Sequence, residues 1–290
     1  VLIACTSRFH APYLKAAIDA GKHVFLEKPH GIDPPSVRVV QQACEEARKK
    51  NLSVVSGLCW RYHGGVQETM KRVLDGAIGD IVAVQSTRNL GFLWQRPRQP
   101  DWTEMDFQMR NWYYFTWLGG DHNVEQQIHG IDKCTWALGD RPPVKAWATS
   151  GRQVRVDPKY GDIYDHHAVV YEYPDNVHVH AYCRQQGGCW FDVSDRFFGT
   201  KGHCDLLRCR IAGETNWQYE GPKPTNMTDA EHEVLFDAIR SGEPVNNGLY
   251  MARSTMISIL GQMVCYTGQK MTWEEVMNTN WRAGPEIGRA

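Results

Sequence analysis

The stretch Gly21-Lys22-His23-Val24-Phe25-Leu26-Glu27-Lys28-Pro29 decides how this chain is read. A glycine that closes a helical pattern is followed by a short apolar run with β-branched and aromatic members, which predicts a buried strand at His23–Leu26. Upstream, Val1-Leu2-Ile3-Ala4-Cys5 is a second such run, joined to the first by a helical pattern over His10–Ala20. Downstream, a helix over Pro35–Lys50 leads to a third strand at Ser53–Gly57. Pro34 and Pro35 at that helix's start, and Arg48, Lys49 and Lys50 at its end, suit the two poles of the helix dipole. Short strands alternating with helices imply a parallel sheet with right-handed crossovers.

An open α/β sheet binds ligands outside the carboxyl ends of its strands. Here that rule points to Thr6-Ser7-Arg8, Glu27-Lys28-Pro29 and Cys59-Trp60-Arg61. A lysine in such a place can stabilise a developing alkoxide, or exchange a proton once its pKa is lowered. The alternative is a turn carrying a surface ion pair.

The length of 290 residues suits two domains, and 42% hydrophobic with 22% charged residues is ordinary globular composition without a membrane-spanning run. Lys+Arg 32 against Asp+Glu 33 lacks the basic footprint of a nucleic-acid binder, which favours small ligands. Nine cysteines without a CxxC pair read as reduced thiols, so a cytoplasmic setting is expected. The chain opens at Val1 directly in a strand, and a preceding segment is expected.

Beyond the third strand, a helical run at Gly65–Asp75 leads into a strand at Ile81–Thr87. Residues 91–118 are poor in regular pattern and rich in large rings, among them Trp94 and Trp112. They read either as a loop stacking on sugar C–H faces or as packed core or interface. Asp121–Leu138 carries the strongest helix pattern, with Val124, Ile128, Ile131, Thr135 and Leu138 as its core stripe. One residue on, Glu125, His129, Asp132 and Trp136 form a second stripe, where two carboxylates flank an imidazole and can orient it and raise its basicity. Asp121 or Asn123 is placed to cap the helix while His122 enters the pocket. A metal held by His122, Glu125 and His129 is disfavoured, because the two histidines stand two turns apart and no His-Glu-x-x-His occurs.

From Val144 the pattern becomes β: Val144–Thr149, Ala168–Tyr173, Val177–Cys183, Asp192–Phe198 and 210–213, mainly antiparallel, with a turn at Tyr173-Pro174-Asp175-Asn176. Helices follow at Asp229–Ser241, Met251–Tyr266 and Trp273–Met277.

The run from His10 to Pro29, with its Glu-Lys-Pro triplet, resembles the second half of the nucleotide-binding domain of the glucose-fructose oxidoreductase / inositol dehydrogenase / rhizopine-catabolism (Gfo/Idh/MocA) family. Glu125, His129 and Asp132 resemble its second motif, with Glu125 where an aspartate is usual. The resemblance implies a partial Rossmann-type, doubly wound parallel sheet over 1–62. It implies a mainly antiparallel, open-faced α+β domain over 63–290, whose last helices pack back on the first. In the family the glycine-rich loop lies upstream, so roughly 60 or more residues are expected before Val1.

The implied activity is hydride transfer between NAD or NADP and a secondary alcohol of a sugar, cyclitol or related polyol. Lys28, His129 and Glu125 would be catalytic, and His122, Trp94 and Trp112 would join them in touching substrate. Thr6, Ser7, His10, Glu27, Lys28, Pro29 and Arg61 would line the nicotinamide-ribose end of the cofactor. A homodimer or homotetramer through the open sheet is implied, with neither nucleic acid nor membrane as a partner. Two other readings use the same residues: a redox-cycling glycoside hydrolase or lyase, and a sugar-sensing relative without turnover.

Overall fold

Among residues 1–284, which the computed structural model describes, three short strands form a parallel sheet in the order β1-β2-β3: β1 (Leu2–Ile3), β2 (Val24–Leu26) and β3 (Val54–Ser56). β2 and β3 are buried throughout, which is why their sequences are continuous apolar runs rather than alternations. α1 (His10–Asp19) and α2 (Pro34–Lys49) make the crossovers. α2 starts where Asp33 accepts a hydrogen bond from the Ser36 amide at 2.9 Å, with Pro34 and Pro35 just inside the helix. α3 (Gly64–Leu74) then leads out of this layer.

The second sheet has nine described strands: β4 (Ile81–Leu90), β5 (Lys145–Gly151), β6 (His166–Glu172), β7 (His178–Gln185), β8 (Asp192–Gly199), β9 (Gly202–Asp205), β10 (Arg210–Gly213), β11 (Trp217–Gln218) and β12 (Met271–Thr272). Their order is β11-β10-β9-β8-β4-β7-β6-β5-β12. All neighbours are antiparallel except β4 and β7, so the sheet is mixed. A parallel neighbour needs a long connection, and here the whole segment between β4 and β7 supplies it. β9, β11 and β12 hold only two to four residues each, too few to show a period.

One face of this sheet, including Val84, Val169, Tyr171, Val179, Ala181 and Phe197, is buried beneath helices. The other face, with Trp147, His178, His180, Tyr182 and Phe198, is partly or fully exposed.

α4 (Glu104–Arg110) and α5 (Thr116–Gly119) lie in the aromatic loop, and a π-helical turn at Asn123–Gln127 runs into α6 (Ile128–Ala137). α7 (Met227–Ser241), α8 (Gly248–Thr267) and α9 (Trp273–Asn278) complete the described elements. α8 is buried along most of its length and packs between α2 on one side and α6 and β5 on the other, so both layers share one apolar core. Just before it, Val245–Asn247 bonds along β3, from the Val54 amide to the Val245 carbonyl at 2.8 Å and from the Asn247 amide to the Val54 carbonyl at 2.9 Å. The outer edge of β3 is thereby covered. α7 contacts β2 and β3, and α8 contacts α2. The aromatic loop has a core of its own, built on Phe107, Tyr113, Tyr114, Phe115, Leu118 and Ile163.

Candidate functional site

At the carboxyl end of β2 the chain turns through Glu27-Lys28-Pro29, and the Lys28–Pro29 bond is cis. His10, at the head of α1, holds this turn: its ring nitrogens lie 2.7 and 2.8 Å from the carbonyl oxygens of Pro29 and Cys5. The loops after β1 and β2 are thus tied together by one buried imidazole. Behind them His30 is wholly buried and bridges Thr255 of α8, at 2.9 Å, to Ser56 of β3, at 2.8 Å. Burial, and then the neighbouring His10, push its pKa down to about 3, so it acts as a neutral strut.

Across from Lys28 stands the turn that opens α6. Asp121 caps it, its carboxylate accepting from the Val124 amide at 2.8 Å. The turn is π-helical, a form frequent at functional sites. The Glu125 carbonyl, which a regular α-helix commits to the amide four residues on, here accepts from Lys28 Nζ at 2.9 Å. Lys28 Nζ also forms a short ion pair with Glu125 Oε1, while Gln126 Nε2 donates to the other carboxylate oxygen at 2.6 Å. One turn on lies His129, partly exposed, with Nδ1 buried and no hydrogen bond on either ring nitrogen among the described residues. Burial, and next the Lys28 ammonium, hold its pKa well below the ordinary imidazole value. The ring is neutral at pH 7 and free to accept a proton.

Several expectations are corrected by this geometry. The predicted core stripe holds, with Val124, Ile128, Ile131, Thr135 and Leu138 all buried, but the polar stripe does not stay together. Asp132 takes Arg61 in an ion pair at 2.9 Å and accepts from the Ser254 hydroxyl at 2.8 Å, rather than bonding to His129. Arg61, expected at the cofactor, is committed to Asp132 and Asp140 and lies over the Tyr250 and Trp136 rings, at 4.0 and 4.9 Å from their centroids. His122, expected against substrate, is wholly buried, with Nδ1 3.0 Å from the Tyr113 hydroxyl and Nε2 3.4 Å from the Arg88 carbonyl. His10, Ser7 and Pro29, expected at the cofactor, are buried. Trp112 packs edge to face on Tyr113 against the aromatic core, and Trp94 packs edge to face on Trp112 and Tyr114 while staying 45% exposed.

Thr6, Glu27 and Lys28 keep partly exposed side chains at the carboxyl ends of β1 and β2. They fit the nicotinamide-ribose end of a dinucleotide. The 290 residues contain no Gly-x-Gly-x-x-Gly run, so they offer no pyrophosphate turn of that type.

The sequence missed a polar relay behind the site. His122 leads through the Tyr113 hydroxyl to Gln185 at 2.7 Å, and on to Arg155 at 2.6 Å. The Arg155 guanidinium lies over the rings of Phe92, Tyr114 and Tyr160. The sequence missed Glu231 of α7 as well, a carboxylic acid buried near Glu27. Arg88 went unassigned because the predicted strand stopped at Thr87, whereas β4 continues to Leu90.

A family model described as an oxidoreductase family with an NAD-binding Rossmann fold matches residues 1–57, and one described as the GFO/IDH/MocA C-terminal domain matches residues 66–205. The chain belongs to the Gfo/Idh/MocA oxidoreductase family. Among relatives of this Gfo/Idh/MocA protein, the D-glucoside 3-dehydrogenase of Escherichia coli K12 is 25% identical over 198 residues, covering 67% of this chain and 51% of that protein. The 2,7-anhydro-N-acetylneuraminate hydratase of the same strain is 27% identical over 176 residues, covering 60% of this chain and 42% of that protein. The chain therefore spans about half the length of these relatives. The aldose-aldose oxidoreductase of Caulobacter crescentus, solved with glycerol, has the same fold at 20% identity and a TM-score of 0.74, with 94% of this chain and 78% of that one covered.

Proposed function

We propose that this protein takes part in NAD(P)-dependent oxidation or reduction of a secondary alcohol on a sugar, cyclitol or related polyol. The observation that carries the reading is Lys28, anchored by Glu125, beside a neutral His129 whose ring nitrogens are unengaged among the described residues. Bound NAD(P) supplies the hydride acceptor. His129 takes the hydroxyl proton of the alcohol, Lys28 steadies the oxygen as charge develops on it, and Glu125 fixes where Lys28 stands. Glu125 is one methylene longer than the aspartate usual in the family, which lets its carboxylate reach the lysine. Thr6, Glu27 and Lys28 would meet the nicotinamide-ribose end.

The name of the D-glucoside 3-dehydrogenase supports a carbohydrate substrate. That of the hydratase supports a second reading, in which the redox step is transient and no net NAD is consumed. The exposed face of the second sheet would make a homo-oligomer, residues 1–62 and 63–290 would act as separate domains, and nine free cysteines favour a reducing, cytoplasmic setting.

The test is to incubate the chain with NAD(P) and a panel of sugars and cyclitols and follow the absorbance of reduced nicotinamide. Lys28→Ala and His129→Ala should each lower kcat by about a hundredfold or more with the far-ultraviolet circular dichroism unchanged. An unchanged kcat in either variant would overturn the assignment.

A further inference from the structure

We propose that the substrate carries a carboxylate and that Arg88 receives it, which makes sugar acids the substrate class. The inference rests on the oxidoreductase reading for the reaction and on separate observations for the charge. Ser86 of β4 accepts from Gln127 Nε2 at 3.0 Å and donates to Asp195 at 2.6 Å, so this face of the strand addresses the helix that carries Glu125 and His129. Side chains two apart share a face, and Arg88 follows on it. Its own carbonyl lies 3.4 Å from His122 Nε2, which sets the residue against the head of that helix.

The Arg88 side chain is only partly exposed and its Nε is buried without a hydrogen-bond partner. Among the described residues, no carboxylate lies within ion-pair distance of it and no hydrogen bond engages its guanidinium. Three other deeply placed cations have carboxylate partners. Lys28 has Glu125, Arg61 has Asp132 and Asp140, and Lys133 has Asp195 at 3.0 Å. Arg155 is wholly buried, has no carboxylate partner among the described residues and keeps Nε and Nη2 unpartnered, but it donates to Gln185 and lies among three rings, closed off from any ligand.

The Arg88 Nε is buried without an acceptor, so an anion that reaches this guanidinium is stabilised there. Its positive field reaches both His122 and His129. The planar fork of one arginine matches a carboxylate through two parallel N–H···O bonds. Lys28 is already paired with Glu125, so a single guanidinium would hold the anion, which favours a carboxylate over a phosphate.

The test measures binding by isothermal titration calorimetry, with NAD present, of D-glucuronate, D-glucose and D-glucose 6-phosphate to the full chain and to Arg88→Gln and Arg88→Lys. Circular dichroism and thermal unfolding report whether each variant folds. The expected result is glucuronate binding about tenfold or more tighter than glucose, a margin lost in Arg88→Gln, partly kept in Arg88→Lys and reduced by added salt. Equal binding of glucuronate and glucose, glucuronate binding that Arg88→Gln leaves unchanged, or preference for the phosphate would each overturn the proposal. Arg88-dependent glucuronate binding without nicotinamide reduction on any sugar would sink the redox reading and leave the anion site standing. His129-dependent oxidation of neutral polyols without a preference for glucuronate would do the reverse.

Discussion

Glu231 shows how burial sets the chemistry of a single residue. It is 1% exposed, one carboxylate oxygen has no partner, and burial, then the neighbouring Glu27, push its pKa up to about 8. Its unfolded-state value is near 4.5, so the folded chain holds a proton that the unfolded chain releases. Stability from this residue is full below about pH 4.5 and is lost as pH rises toward about 8. Glu231→Gln removes that loss: thermal unfolding should show a gain of about 4 kcal/mol at pH 8 that vanishes near pH 4.5. A pH-independent gain would mean that the carboxyl is ionised in the folded chain. His129 makes a second prediction. The Lys28 ammonium depresses its pKa, so Lys28→Met, which also leaves Glu125 without its cation, should move the imidazole titration seen by NMR to higher pH.

At the scale of elements, the turn and helix over 123–137 carry both the chemistry and the joint between layers. Asp132 is 1% exposed and holds Arg61, whose side chain is itself largely buried. Removing one partner of such a pair leaves a charge stranded, so Asp132→Ala should cost about 3 kcal/mol and lower the midpoint of thermal unfolding, with Asp140 compensating part of the loss. Gly120, just before the helix, has φ +82°, and a Cβ there would lie 2.8 Å from Val124 Cβ. Gly120→Ala should therefore destabilise by about 1–3 kcal/mol, seen as a lower denaturant midpoint. The core stripe of this helix was legible because five apolar or small residues follow a 3.6 period. The fate of the polar stripe was not, because Glu125, Asp132 and His122 each found a partner more than 8 positions away in sequence: Lys28, Arg61 and Tyr113.

Over the whole molecule, α8 makes two layers into one body, and the far face of the nine-stranded sheet is left open. Tyr182 and Phe198 stand there 37% and 39% exposed, near His178, His180 and Trp147. Exposed rings on a broad sheet suit a subunit contact. If that face joins two copies, Tyr182→Glu with Phe198→Glu should shift the protein to monomer in analytical ultracentrifugation without lowering its thermal midpoint. An unchanged sedimentation coefficient would remove the face from consideration.

The sequence alone determined the alternation of strand and helix over the first sixty residues, the β-rich second half and its helical end, because those follow from local period and turn residues. It also singled out Lys28, Glu125 and His129, through two short motifs and their resemblance to a family. Only the tertiary structure decided which polar groups compensate one another. It gave Glu125 to Lys28, drew Arg61 and His122 inward, and left Arg88 without an anion among the described residues. Ion pairing and desolvation act through space between residues far apart in the chain, and no local pattern records them.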